Sequence, residues 1–263
     1  TSFISFSNNK KNLFSLIMNN ICIIPARMGS SRFPGKPLFK INGKELVKHV
    51  YDNCIKSTIF QQVVIATPDK DIIDFCNHIN ADSILTSNEH ERASDRCHEA
   101  ILNLEKQRSF YDICTMVQGD EPMVEHDVID KITNSLVEDK NILCANGYGQ
   151  IKEVELTNKN CIKVLKDKNN NAIYMSRKPI PWDPIVNKNV GKQICVIPFQ
   201  THFLKTYSNL EPTPLEINES IDMLRVIENG KDVRMVSVDG YFHPVDIIED
   251  IKIVENLMKK ISN

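Results

Sequence analysis

The 263-residue sequence lacks a long apolar run, a paired-cysteine motif and an excess of charge of either sign. No apolar run approaches the ~18 residues that a membrane helix needs, so we expect no membrane span. Thirty-two Lys and Arg residues stand against 34 Asp and Glu residues, and the net charge of -2 argues against a nucleic-acid-binding protein. This balance still allows a local basic pocket for a phosphorylated small molecule.

The eight cysteines stand singly in the sequence, and none forms a CxxC pair. They are Cys22, Cys54, Cys76, Cys97, Cys114, Cys144, Cys161 and Cys195. Several lie inside apolar runs, which is typical of reduced thiols that pack as small core residues. The pattern predicts a cytoplasmic protein without disulfides and argues against a zinc site.

The chain begins with Thr1 rather than Met, and its first residues are rich in Ser, Asn, Lys and Phe. We interpret residues 1–17 as a flexible N-terminal extension and residues 18–263 as a single domain, because no repeat or linker interrupts them. The alternative is a targeting peptide, since the extension holds Lys10 and Lys11 and no acidic residue. Its lack of Arg argues against that alternative.

Short apolar runs alternate with helical periodicity in the first half of the chain. We predict strands at 21–24, 63–66, 84–85 and 113–117, with helices between them. Continuous apolar strands separated by helices indicate a parallel sheet that is covered on both faces. The predicted fold class is therefore α/β, a doubly wound, mostly parallel, Rossmann-like sheet.

The pattern changes after about Cys144. We predict a β-hairpin over 162–175, one strand over 193–199, one helix over 215–228, a strand over 233–238 and a closing helix over 247–258. This half is predicted to be an inserted, mixed β subdomain.

Residues 25–38 directly follow the first predicted strand, at the end of the sheet where open α/β sheets bind ligands. The segment lacks both the GxGxxG of a dinucleotide site and the GxxxxGK[ST] of a P-loop. It instead holds three cations, Arg27, Arg32 and Lys36, beside small residues that let phosphate oxygens approach the backbone. The pattern favours a polyphosphate site over a solvated basic loop.

Three further segments carry polar groups. Asp120 follows the predicted strand at 113–117, where a carboxylate can hold Mg²⁺ on a nucleotide. Asp246 precedes the closing helix and could share that ion, although Glu249 three residues later also fits a helix-capping box. In the segment 90–96, a capping role explains Ser94 but not the pair of arginines around it.

Together these segments resemble one family over about Asn20 to Met258. They are Ile23-Ile24-Pro25-Ala26-Arg27, residues 31–38, residues 118–122, Ser176-Arg177, Ile180-Pro181-Trp182, Leu215-Glu216, Leu224-Arg225 and Val245-Asp246. The chain is similar to the CMP-Kdo synthetases, the cytidylyltransferases that activate 3-deoxy-manno-octulosonate (Kdo) with CTP. The resemblance implies that the anomeric hydroxyl of an acid sugar attacks the α-phosphate of CTP, that pyrophosphate leaves and that the enzyme is a homodimer.

The resemblance also implies roles for individual residues. Arg27, Lys36 and Asp120 would be catalytic. Arg27, Arg32, Lys36, Ser94, Arg96 and Gln118 would bind the nucleotide. Gln118, Arg177, Gln193, Ile197, Glu219, Asp222 and Met223 would bind the acceptor, and Asp120 and Asp246 would hold Mg²⁺.

The sequence departs from the family where the acceptor should bind. Gln193 stands in place of a His, Ile197 in place of a Tyr, Met223 in place of a polar amide, and Arg92-Ala93-Ser94 in place of Ser-Gly-Thr. Kdo is the default acceptor by resemblance, but these changes predict a drier pocket in which Kdo is a poor or secondary substrate. The alternative acceptor is a different acid, such as another ulosonic acid, a smaller carboxylate or a phosphonate. A less favoured alternative is that the protein binds a nucleotide without catalysis. The cations and carboxylates named above argue against the last.

Overall fold

The computed structural model describes residues 18–30, 32–186 and 188–261, so the predicted extension at 1–17 lies outside the described residues. The strands are β1 Asn20–Pro25, β2 Lys40–Ile41, β3 Lys44–Glu45, β4 Gln62–Thr67, β5 Ser83–Leu85, β6 Ile113–Val117, β7 Ala145–Gly149, β8 Lys163–Lys166, β9 Ala172–Ser176, β10 Gly191–Ile194, β11 Val196–Gln200 and β12 Arg234–Ser237. The helices are α1 Leu46–Cys54, α2 Lys70–His78, α3 Ala93–Lys106, α4 His126–Glu138, α5 Thr201–Tyr207, α6 Pro214–Glu219, α7 Met223–Glu228 and α8 Asp250–Ile261.

A first sheet of five strands has the order β11-β6-β1-β4-β5. Its inner strands are parallel, with Ile23 opposite Val64 on one side and Met116 on the other. Only β11 runs antiparallel, along the outer edge of β6. The doubly wound, mostly parallel sheet predicted from the alternating pattern is confirmed, and the carboxyl ends of β1 and β6 lie side by side.

Helices cover both faces of the first sheet because successive residues of β1 point to opposite sides. Ile21 and Ile23 pack in one cluster with Ile101 of α3. Cys22 and Ile24 pack in a second cluster, which includes residues of α1 and α4. Both faces are therefore dry, which explains why the strand reads as an unbroken apolar run.

The second sheet has the order β12-β7-β10-β8-β9 and is mixed, with only β12 and β7 parallel. The predicted hairpin is present as β8 and β9, and Asn170 at its turn adopts a positive φ of 62°. A bridge between Cys144 and Phe199 brings the two sheets together at the edge strand β11. The predicted inserted mixed β subdomain is this second sheet.

Three predicted elements have different bounds. The strand expected over 193–199 is two strands, because the chain changes sheets at Cys195. The helix expected over 215–228 is α6 and α7, because Ser220 adopts a left-handed conformation between them. The closing helix begins at Asp250 rather than at residue 247.

The structure agrees with the prediction of unpaired thiols. All eight cysteines are free, and six of them are buried. Within the described ranges, no helix is both long and apolar enough to span a bilayer.

Candidate active site

The basic segment after β1 is folded back on itself by backbone contacts. Gly35 has a φ of 75°, a left-handed conformation that suits glycine, and its N–H donates to the carbonyl of Met28 at 3.0 Å. The Met28 N–H donates in turn to Asp69 Oδ2 at 2.7 Å. Pro37 then lies in a short 3₁₀ turn over Lys36–Leu38. The segment thus places Lys36 beside the ends of the neighbouring strands.

Gly119 allows the segment after β6 to approach the end of β1. A Cβ atom at Gly119 would lie 3.1 Å from the carbonyl oxygen of Pro25, closer than side chains ordinarily approach. The next residue, Asp120, accepts a backbone hydrogen bond from the Val245 N–H at 2.9 Å. Three distant segments of the chain therefore meet at Asp120.

Two ion pairs join the basic segment to the predicted metal ligands. Lys36 Nζ lies 2.7 Å from Asp120 Oδ2 and also donates to the carbonyl of Val245 at 2.8 Å. Arg32 Nη2 lies 3.0 Å from Asp246 Oδ1. The structure brings both carboxylates and two of the three predicted cations together, although these residues are up to 214 positions apart in the sequence, from Arg32 to Asp246.

Two adjoining cavities open at this point. The first, which we call the basic cavity, is lined by the segment after β1, by residues 90–93 and by Arg96. The second, which we call the mixed cavity, is lined by residues of both sheets, among them Arg177, Gln193 and Asp246. The two cavities share Arg32, Gln118, Asp120, Ser220 and Asp222.

The cations of each cavity repel one another. Burial and the nearby charge of Arg27 lower the pKa of Arg96 in the basic cavity. Burial and the charge of Arg32 likewise lower the pKa of Arg177 in the mixed cavity. An anion bound beside Arg96 or beside Arg177 would relieve this repulsion, whereas the rest of the mixed cavity is lined mainly by carboxylates and other polar groups.

The surroundings of Asp246 raise the pKa of its carboxyl group. Burial and the charge of Asp120 raise its pKa to about 6. Asp250 holds the backbone here, because its Oδ2 accepts the N–H groups of Asp246 and Ile247 at 2.8 and 2.9 Å. The capping alternative for Asp246 is therefore wrong: Asp250 accepts the backbone bonds, and the Asp246 carboxylate pairs with Arg32.

Ser94 and Arg96 lie on the first turn of α3, which begins at Ala93 rather than after a Ser94 cap. Ser94 is fully buried, and both its N–H and its hydroxyl donate to Asp222 Oδ2, at 3.1 and 2.7 Å. It stands behind Asp222 instead of lining either cavity. Arg96 donates to Thr86 and Ser87 and lines the basic cavity.

The residues expected at the acceptor fall into two groups. Gln118, Arg177, Gln193, Ile197 and Asp222 line the mixed cavity, and Gln193 donates to Asn146 Oδ1 at 2.6 Å. Glu219 instead supports that wall, because its carboxylate accepts the hydroxyl of Ser176 and the N–H of Arg177. Met223 is fully buried in the apolar core.

Met223 thus cannot dry the cavity, and most side chains that line the mixed cavity are polar or charged. The role expected of Met223 in a drier pocket is therefore wrong, and a pocket drier than that of the relatives stays a prediction. The apolar change that does reach the cavity is Ile197.

Sequence reasoning missed several polar residues around the mixed cavity. Lys192 and Glu155 form a buried ion pair of 2.7 Å, and Tyr241 donates to the same carboxylate oxygen at 3.1 Å. Asn160 accepts a hydrogen bond from Arg32 at 2.6 Å. Lys192 could have been noticed in the sequence, because a lysine within the buried strand β10 needs a partner. That partner, Glu155, lies 37 residues away, and no local pattern identifies it.

Comparison with known proteins places the chain in a family. Residues 21–233 match the family described as cytidylyltransferase. The chain belongs to the cytidylyltransferase family. A relative from Arabidopsis thaliana, named 3-deoxy-manno-octulosonate cytidylyltransferase, mitochondrial, is 35% identical over 242 residues, which are 90% of this chain and 82% of the relative. A relative from Geobacter metallireducens, named 3-deoxy-manno-octulosonate cytidylyltransferase, is 33% identical over 92% of this chain and 99% of the relative.

Solved structures agree with this family. A CMP:2-keto-3-deoxy-manno-octonic acid synthetase complexed with CTP superimposes with a TM-score of 0.83 at 29% identity, over 92% of this chain and 99% of the other. A 4-diphosphocytidyl-2C-methyl-D-erythritol synthase from Anaerococcus prevotii, at 14% identity and a TM-score of 0.64, shares the fold alone. The family and the fold predicted from the sequence motifs are both confirmed.

Proposed function

We propose that the protein transfers a cytidylyl group from CTP to the anomeric hydroxyl of Kdo and releases pyrophosphate. The observation that carries this proposal is the convergence of Arg32, Lys36, Asp120 and Asp246 where two charged cavities meet. Two adjoining cavities suit a reaction in which two bound molecules must be aligned. The relatives that span nearly the whole chain are named for this reaction.

The basic cavity is the proposed site for the triphosphate. Arg27, Arg32 and Lys36 reach it from the segment after β1, and Arg96 reaches it from α3. Fixed cations stabilise the charge that develops on a leaving pyrophosphate without reorganising during the reaction. The ion pairs with Asp120 and Asp246 hold Lys36 and Arg32 in a fixed orientation before the nucleotide binds. Gln118, at the boundary, can contact either substrate.

The residues present fit a Mg²⁺ ion. Burial and then the charge of Asp120 raise the pKa of Asp246, and a divalent cation held by the two carboxylates would offset both effects. In the described parts of the chain, no group of three or more His, Cys, Asp or Glu side chains forms a metal site. Two carboxylates completed by substrate phosphates are the usual Mg²⁺ arrangement. We propose that Asp120 and Asp246 hold the ion, which supplies Lewis-acid stabilisation of the phosphates when bound.

The mixed cavity is the proposed site for the acid. Arg177 is the proposed partner of the acceptor carboxylate, because it lines this cavity and its guanidinium donates to the uncharged carbonyl groups of Lys159, Glu219 and Ser220. In contrast, Lys192 is neutralised by Glu155. The polar walls suit the hydroxyls of a sugar acid, while Ile197 leaves room for a difference in preference among such acids.

We further propose a homodimer in the cytoplasm, as the family resemblance implies. The segment after β9 ends in Trp182, which is fully exposed in the single chain, and Ile185 close by is also exposed. A second copy of the chain could cover these side chains. Light scattering of the purified protein measures the mass, and a monomer at micromolar concentration would contradict the dimer.

Pyrophosphate release tests the function directly. The purified protein should release pyrophosphate from CTP only when Kdo and Mg²⁺ are both present, and more slowly from ATP, GTP or UTP. Other ulosonic acids, small carboxylates and phosphonates form the second arm of the experiment. A higher kcat/KM for one of them than for Kdo would assign a different acceptor. If no acid led to pyrophosphate release, the proposed cytidylyltransferase activity would be wrong.

A further inference from the structure

The bend between α6 and α7 lies where the two cavities meet. Ser220 and Asp222 line both cavities. Ser220 has φ 54° and ψ 53°, the left-handed conformation, which costs free energy in any residue with a side chain. Such a conformation persists where surrounding contacts hold it. The contacts of Ser220 therefore determine the shape of this shared wall.

Two arginines hold the bend from opposite sides. Arg177, which follows β9 on the mixed-cavity side, donates to the carbonyls of Glu219 and Ser220 at 2.7 and 3.1 Å. Arg92, which precedes α3 and lines the basic cavity, donates from Nη1 to the Ser220 hydroxyl at 2.7 Å. The side chain of Ser220 is thus held from the nucleotide side and its backbone from the acceptor side.

Arg92 is itself fixed by a buried carboxylate. Its Nε and Nη2 donate to the Glu216 side chain and carbonyl at 3.1 and 3.4 Å. Arg225 binds both carboxylate oxygens of Glu216 at 2.7 Å. Glu216 is fully buried, so a rotation of Arg92 would take one cation away from a buried charge. Arg92 is therefore a rigid support and not a freely moving surface cation.

We propose that Arg92 is a positioning residue for the acceptor: through the Ser220 hydroxyl it fixes the 219–222 bend and so shapes the wall of the mixed cavity. This inference rests on the proposed function, because its readout is turnover of the acceptor. The proposal assigns a role to Arg92, one of the residues that depart from the family motif. The nearby contact between Ser94 and Asp222 holds the far end of the same bend.

Two variants that remove the same hydrogen bond test the proposal. Arg92→Ala and Ser220→Gly should each raise the KM for Kdo roughly tenfold, the usual effect of losing a charge-assisted hydrogen bond, with a smaller change in kcat. The CTP dissociation constant from calorimetry should stay within about threefold of the wild type. Ser220→Gly should keep or raise the melting temperature, because glycine adopts this φ without strain. If this hydrogen bond only stabilised the fold, the KM of Ser220→Gly for Kdo would stay at the wild-type value.

Asn80→Gly is the matched control. Asn80 has the same φ of 54°, is exposed and lies after α2, outside the lining of either cavity. It should gain similar stability and keep wild-type kinetics. The double variant should have no higher KM for Kdo than Arg92→Ala alone, because that variant has already lost the hydrogen bond to the Ser220 hydroxyl.

Three outcomes would contradict either the positioning role of Arg92 or the proposed function. Weaker CTP binding in Arg92→Ala with an unchanged KM for Kdo would make Arg92 a nucleotide ligand and overturn the proposal. Wild-type KM values in Ser220→Gly would also overturn it, even if Arg92→Ala failed to fold. A wild-type protein without turnover would instead contradict the proposed function.

Discussion

Asp120 connects the three segments that form the candidate site. Its carboxylate pairs with Lys36 and its carbonyl accepts the Val245 N–H. Asp120→Asn keeps the shape and the backbone contact but removes the charge. We expect turnover to fall by at least about a hundredfold, because a metal ligand is lost while the fold is kept.

The exposed Asp74→Asn on α2 is the matched control for Asp120→Asn and should leave pyrophosphate release unchanged. The melting temperature of both variants should stay close to that of the wild type. Near-normal release by Asp120→Asn would remove Asp120 from the metal site.

Lys36 carries the second residue-level prediction. Its ammonium group is mostly buried and lies where the basic segment meets Asp120. Lys36→Ala should weaken CTP binding and slow pyrophosphate release together, by more than about tenfold each, because a point charge at the phosphates is lost. Lys40→Ala, on the neighbouring strand β2 with an exposed side chain, is the control. If both quantities stay within about threefold, the triphosphate lies elsewhere.

At the scale of elements, the sequence predicted the strands and helices that depend on local pattern. β1, β4, β6 and the hairpin β8–β9 were all recognisable, because burial on one or both faces leaves a periodic signal. The bounds failed where distant contacts decide them. Cys195 separates β10 from β11 while its N–H donates to Glu121 at 3.0 Å, 74 residues away, and the apolar run gives no sign of this break.

The parts of the candidate site that could be predicted from the sequence are likewise those that depend on local pattern. The basic segment, Asp120 and Asp246 were recognisable because each follows or precedes an element with a clear pattern. The break at Ser220 has neither Gly nor Pro to mark it, and it depends on Arg92, 128 residues earlier. For the same reason Met223 could not be placed in the core from the sequence alone, since the direction of α7 depends on that break.

Glu216 on α6 provides a test at this scale. Burial alone would raise its pKa, but the hydrogen bonds and charge of Arg225 outweigh burial and hold the pKa below the ordinary 4.5. The carboxylate therefore stabilises the fold above pH 4.5, and this contribution is lost as the pH falls through the lower folded-state pKa.

Glu216→Gln should lose about 3–5 kcal/mol of unfolding free energy at pH 7, because the buried Arg225 and the partly buried Arg92 lose their counter-charge. The difference from the wild type should shrink as the pH is lowered below 4.5. Urea unfolding at pH 7, 5 and 4 measures it, with the exposed Glu211→Gln as control. A difference that stays constant with pH would mean that Glu216 is not charged in the folded protein.

At the scale of the whole molecule, the core of the described chain already includes Met18. Its side chain is buried with Ile113, Leu136 and Ala145. A protein that starts at Met18 should therefore keep the kinetics and melting temperature of the full chain. Met18→Ala in the full chain should cost about 2–5 kcal/mol, as other buried Met truncations do. A large loss of activity on removing residues 1–17 alone would show that they contribute to the site.

The two sheets form one set of cavity walls, and this gives the last prediction. Gln118 and Ile197 come from the first sheet or its ends, whereas Lys192 and Gln193 come from β10 of the second, and all four line the mixed cavity. If residues 18–263 are one domain, the sheets should unfold together. Far-ultraviolet circular dichroism and calorimetry should then show one coincident transition. CTP with Mg²⁺ at a thousand times its dissociation constant should raise the unfolding free energy by about 4 kcal/mol in that single transition. Two transitions, of which the nucleotide shifts only one, would instead show that the sheets are separate domains and that the cavity between them forms only when they dock.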